Sequence, residues 1–167
     1  GKKSIAIIPG ASIPERRWPL FNYATVVKWL IEQQINVVFC GGKQDNAPPL
    51  DTKKESIKEY VLNLIGETSL LETAGIIAVS DLYLSSDTGI LHLARGLGTP
   101  TVSLFGPGIT MKWAPRGKKH AVIVKQVPCS PCTKFGHTPP CRNNIKCMKE
   151  ISVKEVINEI SRILEDI

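Results

Sequence analysis

Asp87-Thr88-Gly89, followed three residues later by His92, is the tightest grouping of chemistry-bearing residues in this chain. It directly follows the apolar run Leu82 to Ser85 and opens a helical pattern carrying Ile90, Leu91, Leu93, Ala94 and Leu97, which Gly98 stops. A helix N-terminus offers free N–H groups and a positive dipole to an anion. Gly89 lets the backbone approach a pyrophosphate, the Thr88 hydroxyl can donate to it, and Asp87 can cap the helix or orient a neighbour. Taken alone, the same residues also describe an ordinary capped helix with a satisfied histidine.

A second cluster, Pro9-Gly10-Ala11-Ser12 and then Glu15-Arg16-Arg17-Trp18-Pro19, follows the first apolar run, Ser4 to Ile8. Arginine grips phosphate with a bidentate fork, and Ser12 with nearby backbone N–H groups adds donors. The competing reading is a surface arginine pair beside a core tryptophan. A third cluster is Cys129-x2-Cys132-x8-Cys141-x5-Cys147, with Cys40 standing alone in an apolar run. Two close cysteine pairs joined by a Pro/Gly-rich loop suit a structural zinc or an iron-sulfur cluster, with disulfides and free thiols as the alternatives.

The elements that must position these residues alternate short β-rich runs with longer stretches of helical period, the pattern of a parallel sheet covered by helices. We read βαβαα, then βαββα. The first helix opens at Pro19 and turns Leu20, Tyr23, Val27, Leu30 and Ile31 inward. Asn36 to Cys40 is a second strand, and Ile57, Tyr60, Val61, Leu64 and Ile65 predict a helix beyond a polar loop. Ser69 and Glu72 form a capping box for a helix over about 70–79. Strands follow at 82–85, 100–105 and 120–125, and the chain closes on a helix capped by Ser152 and Glu155, with Val153, Val156, Ile157, Ile160, Ile163 and Leu164 inward. In such a sheet ligands lie beyond the carboxyl ends of the strands, which puts the first two clusters on one crevice.

The 167 residues, 43% hydrophobic, suffice for one domain with a core, and no run approaches the ~20 apolar residues of a membrane span. The chain starts within a few residues of a strand, as though cut at a domain boundary, and is expected to be cytoplasmic. Nine of its Lys and Arg residues fall between Ile109 and Lys149, where there is no Asp or Glu. That segment suits a phosphorylated lipid, an anionic membrane face or nucleic acid, or is simply a solvated basic loop. Its only large aromatics, Trp113 and Phe135, make nucleic acid a poor match, since stacking platforms are scarce.

Three segments together resemble the C-terminal domain of glycosyltransferase family 9, the lipopolysaccharide heptosyltransferases: SSDTGILHLARGLGTPTVSLFGP from Ser85 to Pro107, Met111-Lys112-Trp113-Ala114-Pro115, and the early ERRWP. The resemblance covers nearly the whole chain. It implies a Rossmann-like α/β domain, residues 1–167, that forms the donor-binding half of a GT-B enzyme whose N-terminal acceptor domain is absent here, with the basic cysteine-rich loop at about 126–149. It also implies an ADP-sugar donor, ADP-heptose above all, a phosphorylated glycolipid acceptor, and peripheral contact with the inner membrane.

Carried over by position, Ser12 matches a donor-phosphate hydroxyl, Arg16 a basic residue that is often lysine, and Asp87, Thr88, Gly89 and His92 the donor-binding turn. Thr68 stands where a family member has an adenine-contacting methionine, and Asp45 near a carboxylate that holds ribose or heptose. Ala11 replaces a hydroxyl residue found in some members. The implied chemistry is direct transfer with inversion, the base belonging to the N-terminal half. This half stabilises the leaving diphosphate through Arg16, Thr88 and the helix dipole in place of a metal ion, and no cofactor is required. The rival readings are another GT-B nucleotide-sugar enzyme such as an epimerase, and a metal-braced basic module that binds nucleic acid.

Overall fold

The computed structural model describes residues 1–167. Six strands form one parallel sheet: β1 (Ser4–Ile8), β2 (Asn36–Phe39), β3 (Val61–Asn63), β4 (Leu82–Ser86), β5 (Thr101–Phe105) and β6 (His120–Val124). Their spatial order is β3-β2-β1-β4-β5-β6, every neighbouring pair parallel. The order reverses between β1 and β4, so the crossover connections diverge there and leave a crevice at the carboxyl edge.

The helices are α1 (Leu20–Glu32), α2 (Glu55–Tyr60), α3 (Leu70–Val79), α4 (Gly89–Gly96), α5 (Thr110–Trp113), α6 (Lys146–Lys149) and α7 (Val153–Glu165), with a 3₁₀ turn over Pro14–Arg16. Alternation along each strand divides the core into two layers. Ile5, Ile7, Val37, Phe39, Leu82, Leu84, Val102 and Leu104 face one way, onto Tyr23, Val27 and Leu30 of α1 and Val156, Ile160 and Ile163 of α7. Ala6, Ile8, Tyr83 and Phe105 face the other, onto Ile77 of α3 and Leu91 and Ala94 of α4. A sheet buried on both faces needs apolar residues at consecutive positions, and β4 and β5 are buried at every residue. No helix is long and apolar enough to cross a membrane.

One expected element is different. The helix predicted through Ile65 ends at Tyr60, and Val61 to Asn63 leave it as the edge strand β3, in register with Val37 to Phe39. Only Ile57 of α2 is buried, so the helix has little to hold it beyond two turns. The β-branched Val61 instead completes the open edge of β2, where backbone pairing outweighs local periodicity. The two capping boxes are as expected: the Ser69 and Ser152 hydroxyls accept from the Glu72 and Glu155 amides, and each glutamate accepts from its serine's backbone. Trp18 is core, its indole N–H donating to the Ile151 carbonyl at 3.0 Å.

Candidate functional site

A cleft of about 410 Å³ opens at the carboxyl edge of the sheet, where four strand-to-helix connections meet. Gly10, Ala11 and Ser12 line it after β1, Gly41, Gly42 and Asp45 after β2, Thr68, Leu70 and Thr73 after β3, and Thr88, Gly89 and Ile90 after β4. Five of the eight expected donor-binding residues therefore share one cavity. Glycine is required at two of these positions for space. A Cβ on Gly10 would lie 1.9 Å from the Asp45 carboxylate, and one on Gly41 2.8 Å from it. The carboxylate is fixed over the strand ends by accepting from the Gly42 amide at 2.9 Å.

Thr88 is the N-cap of α4, in extended conformation, and its side chain makes no capping bond. Its hydroxyl oxygen is buried and without a hydrogen-bond partner. The Tyr83 phenol below it is near enough for its ionisation to feel that hydroxyl, yet neither group completes a hydrogen bond. Burial, above all, pushes the Tyr83 phenol well above its ordinary range. The first turn of α4 thus offers uncapped amides and an unspent hydroxyl toward the cleft, which is what an anion needs and an ordinary capped helix lacks.

Asp87 does not cap this helix; it orients a neighbour. It is 5% exposed, and its carboxylate lies 3.1 Å from Arg16 Nη1, which also donates to the Asp87 carbonyl at 3.4 Å. Burial raises the Asp87 carboxyl above its usual range, opposed by the Arg16 guanidinium and, less, by His92. The pair joins the 3₁₀ turn after β1 to the turn after β4. Arg16 Nε is left buried with no protein partner. Neither Arg16 nor Asp87 lines the 410 Å³ cavity itself; Asp87 directly precedes Thr88, which does, and Arg16 is paired with it. Gly108 makes room for them, since a Cβ there would meet the Asp87 carboxylate at 2.2 Å. That requirement has no local sequence signal, because Gly108 and Asp87 are brought together only by the pairing of β4 and β5.

His92 also stays off the cleft. Three residues along α4 from Gly89, it packs edge-on against Trp113, with ring centroids 5.8 Å apart. Lys112 lies over the same indole at 4.9 Å, so of the two aromatics in the basic segment only Phe135 stands free, fully exposed.

The four clustered cysteines share a second cavity of about 420 Å³ with Glu15, Pro107, Pro139, Pro140 and neighbouring residues. All five cysteines are free thiols, and no group of three or more His, Cys, Asp or Glu side chains is gathered into a metal-holding set. Cys141 Sγ accepts from the Asn143 and Ile145 amides at 3.4 and 3.2 Å. Burial raises the Cys132 and Cys147 thiols, and the other cysteines add to this.

Comparison with known proteins gives a consistent picture. The family described as glycosyltransferase family 9 (heptosyltransferase) matches residues 1–142. Lipooligosaccharide heptosyltransferase 2 of Campylobacter jejuni (serotype O:6) is 30% identical over 169 residues, 98% of this chain and 52% of that protein. The structure of Escherichia coli ADP-heptose LPS heptosyltransferase II superposes with a TM-score of 0.79 at 27% identity, covering 99% of this chain and 47% of the other. The iron-containing dodecameric glycosyltransferase TibC of enterotoxigenic E. coli, also solved in complex with ADP-D-β-D-heptose, shares the fold at a TM-score of 0.78 and 14% identity, over 99% of this chain and 46% of that one. The chain spans about half the length of these relatives.

Proposed function

Because the chain belongs to glycosyltransferase family 9, we propose that it is the donor-binding half of an inverting glycosyltransferase that transfers heptose, or a related sugar, from an ADP-sugar to a lipopolysaccharide core acceptor. The observation that carries this reading is the uncapped N-terminus of α4, with the unpartnered Thr88 hydroxyl, directly beside the buried Arg16–Asp87 pair. A diphosphate between them would take the α4 amides and the Thr88 hydroxyl on one side and the free Arg16 Nε on the other. Ser12, Asp45 and Thr68 would line the path of the nucleoside and sugar along the cleft.

In transfer, an acceptor hydroxyl oxygen bonds to the anomeric carbon while the bond from that carbon to the diphosphate breaks on the opposite face. The acceptor's proton goes to a carboxylate base of the acceptor-binding half, and ADP departs with the bonding pair. This half contributes electrostatic stabilisation of the developing diphosphate charge, preorganised in a partly dry site. An epimerase fits less well: Asp45 is the only titratable side chain lining the cleft, whereas epimerisation needs an acid and a base. The working place in this reading is the cytoplasm, at the inner face of the inner membrane, where the basic 109–149 segment faces phosphorylated glycolipid.

The same reading assigns Cys129, Cys132, Cys141 and Cys147 to a structural zinc or an iron-sulfur cluster that braces the loop. Four sulfurs on one cavity, one already supplied with two amide donors, fit a thiolate site once they draw together around an ion.

Calorimetric titration with ADP, UDP and GDP tests the donor site. Saturable binding of ADP, weakened by both Asp87→Ala and Arg16→Ala, is expected; binding of no nucleotide, or binding indifferent to both changes, would overturn the reading. The same protein, purified without chelator, should carry about one equivalent of zinc or more than one of iron, and less than about a tenth of an equivalent of either removes the metal assignment.

A further inference from the structure

The cysteine-rich loop reaches the donor site through the Thr138 hydroxyl. Arg16 Nη2 points at Thr138 Oγ1 across 3.5 Å, and Thr138 Oγ1 lies 2.8 Å from Thr133 Oγ1. A guanidinium can only donate, so Thr138 accepts from it and its own proton is free for Thr133. Thr133 is 4% exposed. Its backbone N–H and that of Cys132 both donate to the Pro107 carbonyl, at 3.0 and 3.2 Å, and the Ser130 hydroxyl donates to the Gly106 carbonyl. The loop is therefore fastened to the turn after β5, the same turn whose Gly108 accommodates Asp87.

We propose that Thr138, backed by Thr133, is a positioning residue for Arg16: it holds the guanidinium at the angle from which its free Nε meets the donor's diphosphate. This rests on the donor-site reading above. Asp87 fixes Nη1 and Thr138 fixes Nη2, and two contacts on different nitrogens set the plane of the fork. With Asp87 alone the fork is held only through Nη1 and can pivot there, so its N–H groups lose the alignment that bidentate recognition depends on. The Thr138 contact is long, so its loss costs orientation and not the charge itself.

The test is ADP titration of the unmodified chain, Thr138→Val and Thr138→Ser, and of Arg16→Ala with and without Thr138→Val. Valine should weaken ADP about three- to tenfold, the worth of one ordinary hydrogen bond, and lower the melting temperature slightly, since it also leaves the buried Thr133 hydroxyl without its partner. Serine, which keeps the hydroxyl, should restore affinity, and valine should add nothing once Arg16 is alanine. Unaltered ADP affinity in Thr138→Val, no rescue by serine, or an equal loss in the Arg16→Ala background would overturn the proposal. Failure of the unmodified chain to bind ADP would overturn the donor-site reading and this proposal with it, whereas ADP binding that depends on Arg16 but not on Thr138 would overturn only the latter.

Discussion

Thr88 holds a buried hydroxyl that no protein group satisfies, and a group left in that state costs stability unless a ligand uses it. Valine has nearly the same shape without the hydroxyl. Thr88→Val should therefore leave the melting temperature unchanged or slightly raised while weakening ADP about tenfold, the worth of a hydrogen bond to a charged group. Calorimetry and thermal melts on one preparation check both halves, and a variant that loses stability but keeps affinity would show the hydroxyl to be structural. At this scale the sequence was informative wherever residue type and strand-end position coincide: Ser12, Asp45, Thr68, Thr88 and Gly89 do share a cleft. It could not show that Arg16 and Asp87 form one unit, because 71 positions separate them and only the pairing of β1 with β4 brings their turns together. His92 is on the same helix as Gly89, but its ring packs edge-on against Trp113 and does not line the cleft, a contact that no local sequence signal announces.

Among the elements, α7 closes the core against α1 and is tied to the sheet by charge as well as by its apolar face. Lys125, just after β6, donates to Glu155 at 2.5 Å, and Glu155 also accepts from Ser152 as the cap of α7. Lys125 first, and then Ser152, push the Glu155 carboxyl down to about 2 from its ordinary 4.5. A carboxyl whose value is lower in the folded state contributes stability that is fully present above its unfolded value and lost as pH falls through the folded one. The contribution should be intact above pH 4.5 and fade between there and about 2. Glu155→Gln should lower stability at pH 7 and flatten the acid limb of a pH series of urea melts; an acid limb identical to that of the unmodified chain would assign acid sensitivity to other groups. Partial exposure of the pair keeps the effect small. Capping of α7 and α3 was readable because serine and glutamate three apart act locally. The end of α2 was not, because Val61 serves helix and strand patterns alike and only the open edge of β2 decides between them.

For the whole molecule, the sheet reverses its order at the crevice, both faces are covered, and Ser12, Asp45, Thr68, Thr88 and Gly89 line a cleft on the one open edge, with the Arg16–Asp87 pair beside it. Nothing on that edge is arranged to deprotonate an acceptor: Asp45 is engaged by the Gly42 amide, and Asp87 is paired with Arg16. A positioned general base contributes roughly 10²–10⁴-fold and correct placement of two reactants considerably more, so a donor site alone leaves the chemical step many orders of magnitude slower. The chain by itself should therefore bind ADP-heptose yet release no ADP above background hydrolysis when a lipopolysaccharide core acceptor is added. Coupled detection of ADP over hours, with donor affinity measured in parallel, distinguishes an inactive site from an empty one. Acceptor-dependent ADP release by these 167 residues would mean that a base and an acceptor surface lie within this domain, with the basic segment between Ile109 and Lys149 the first place to look for that surface.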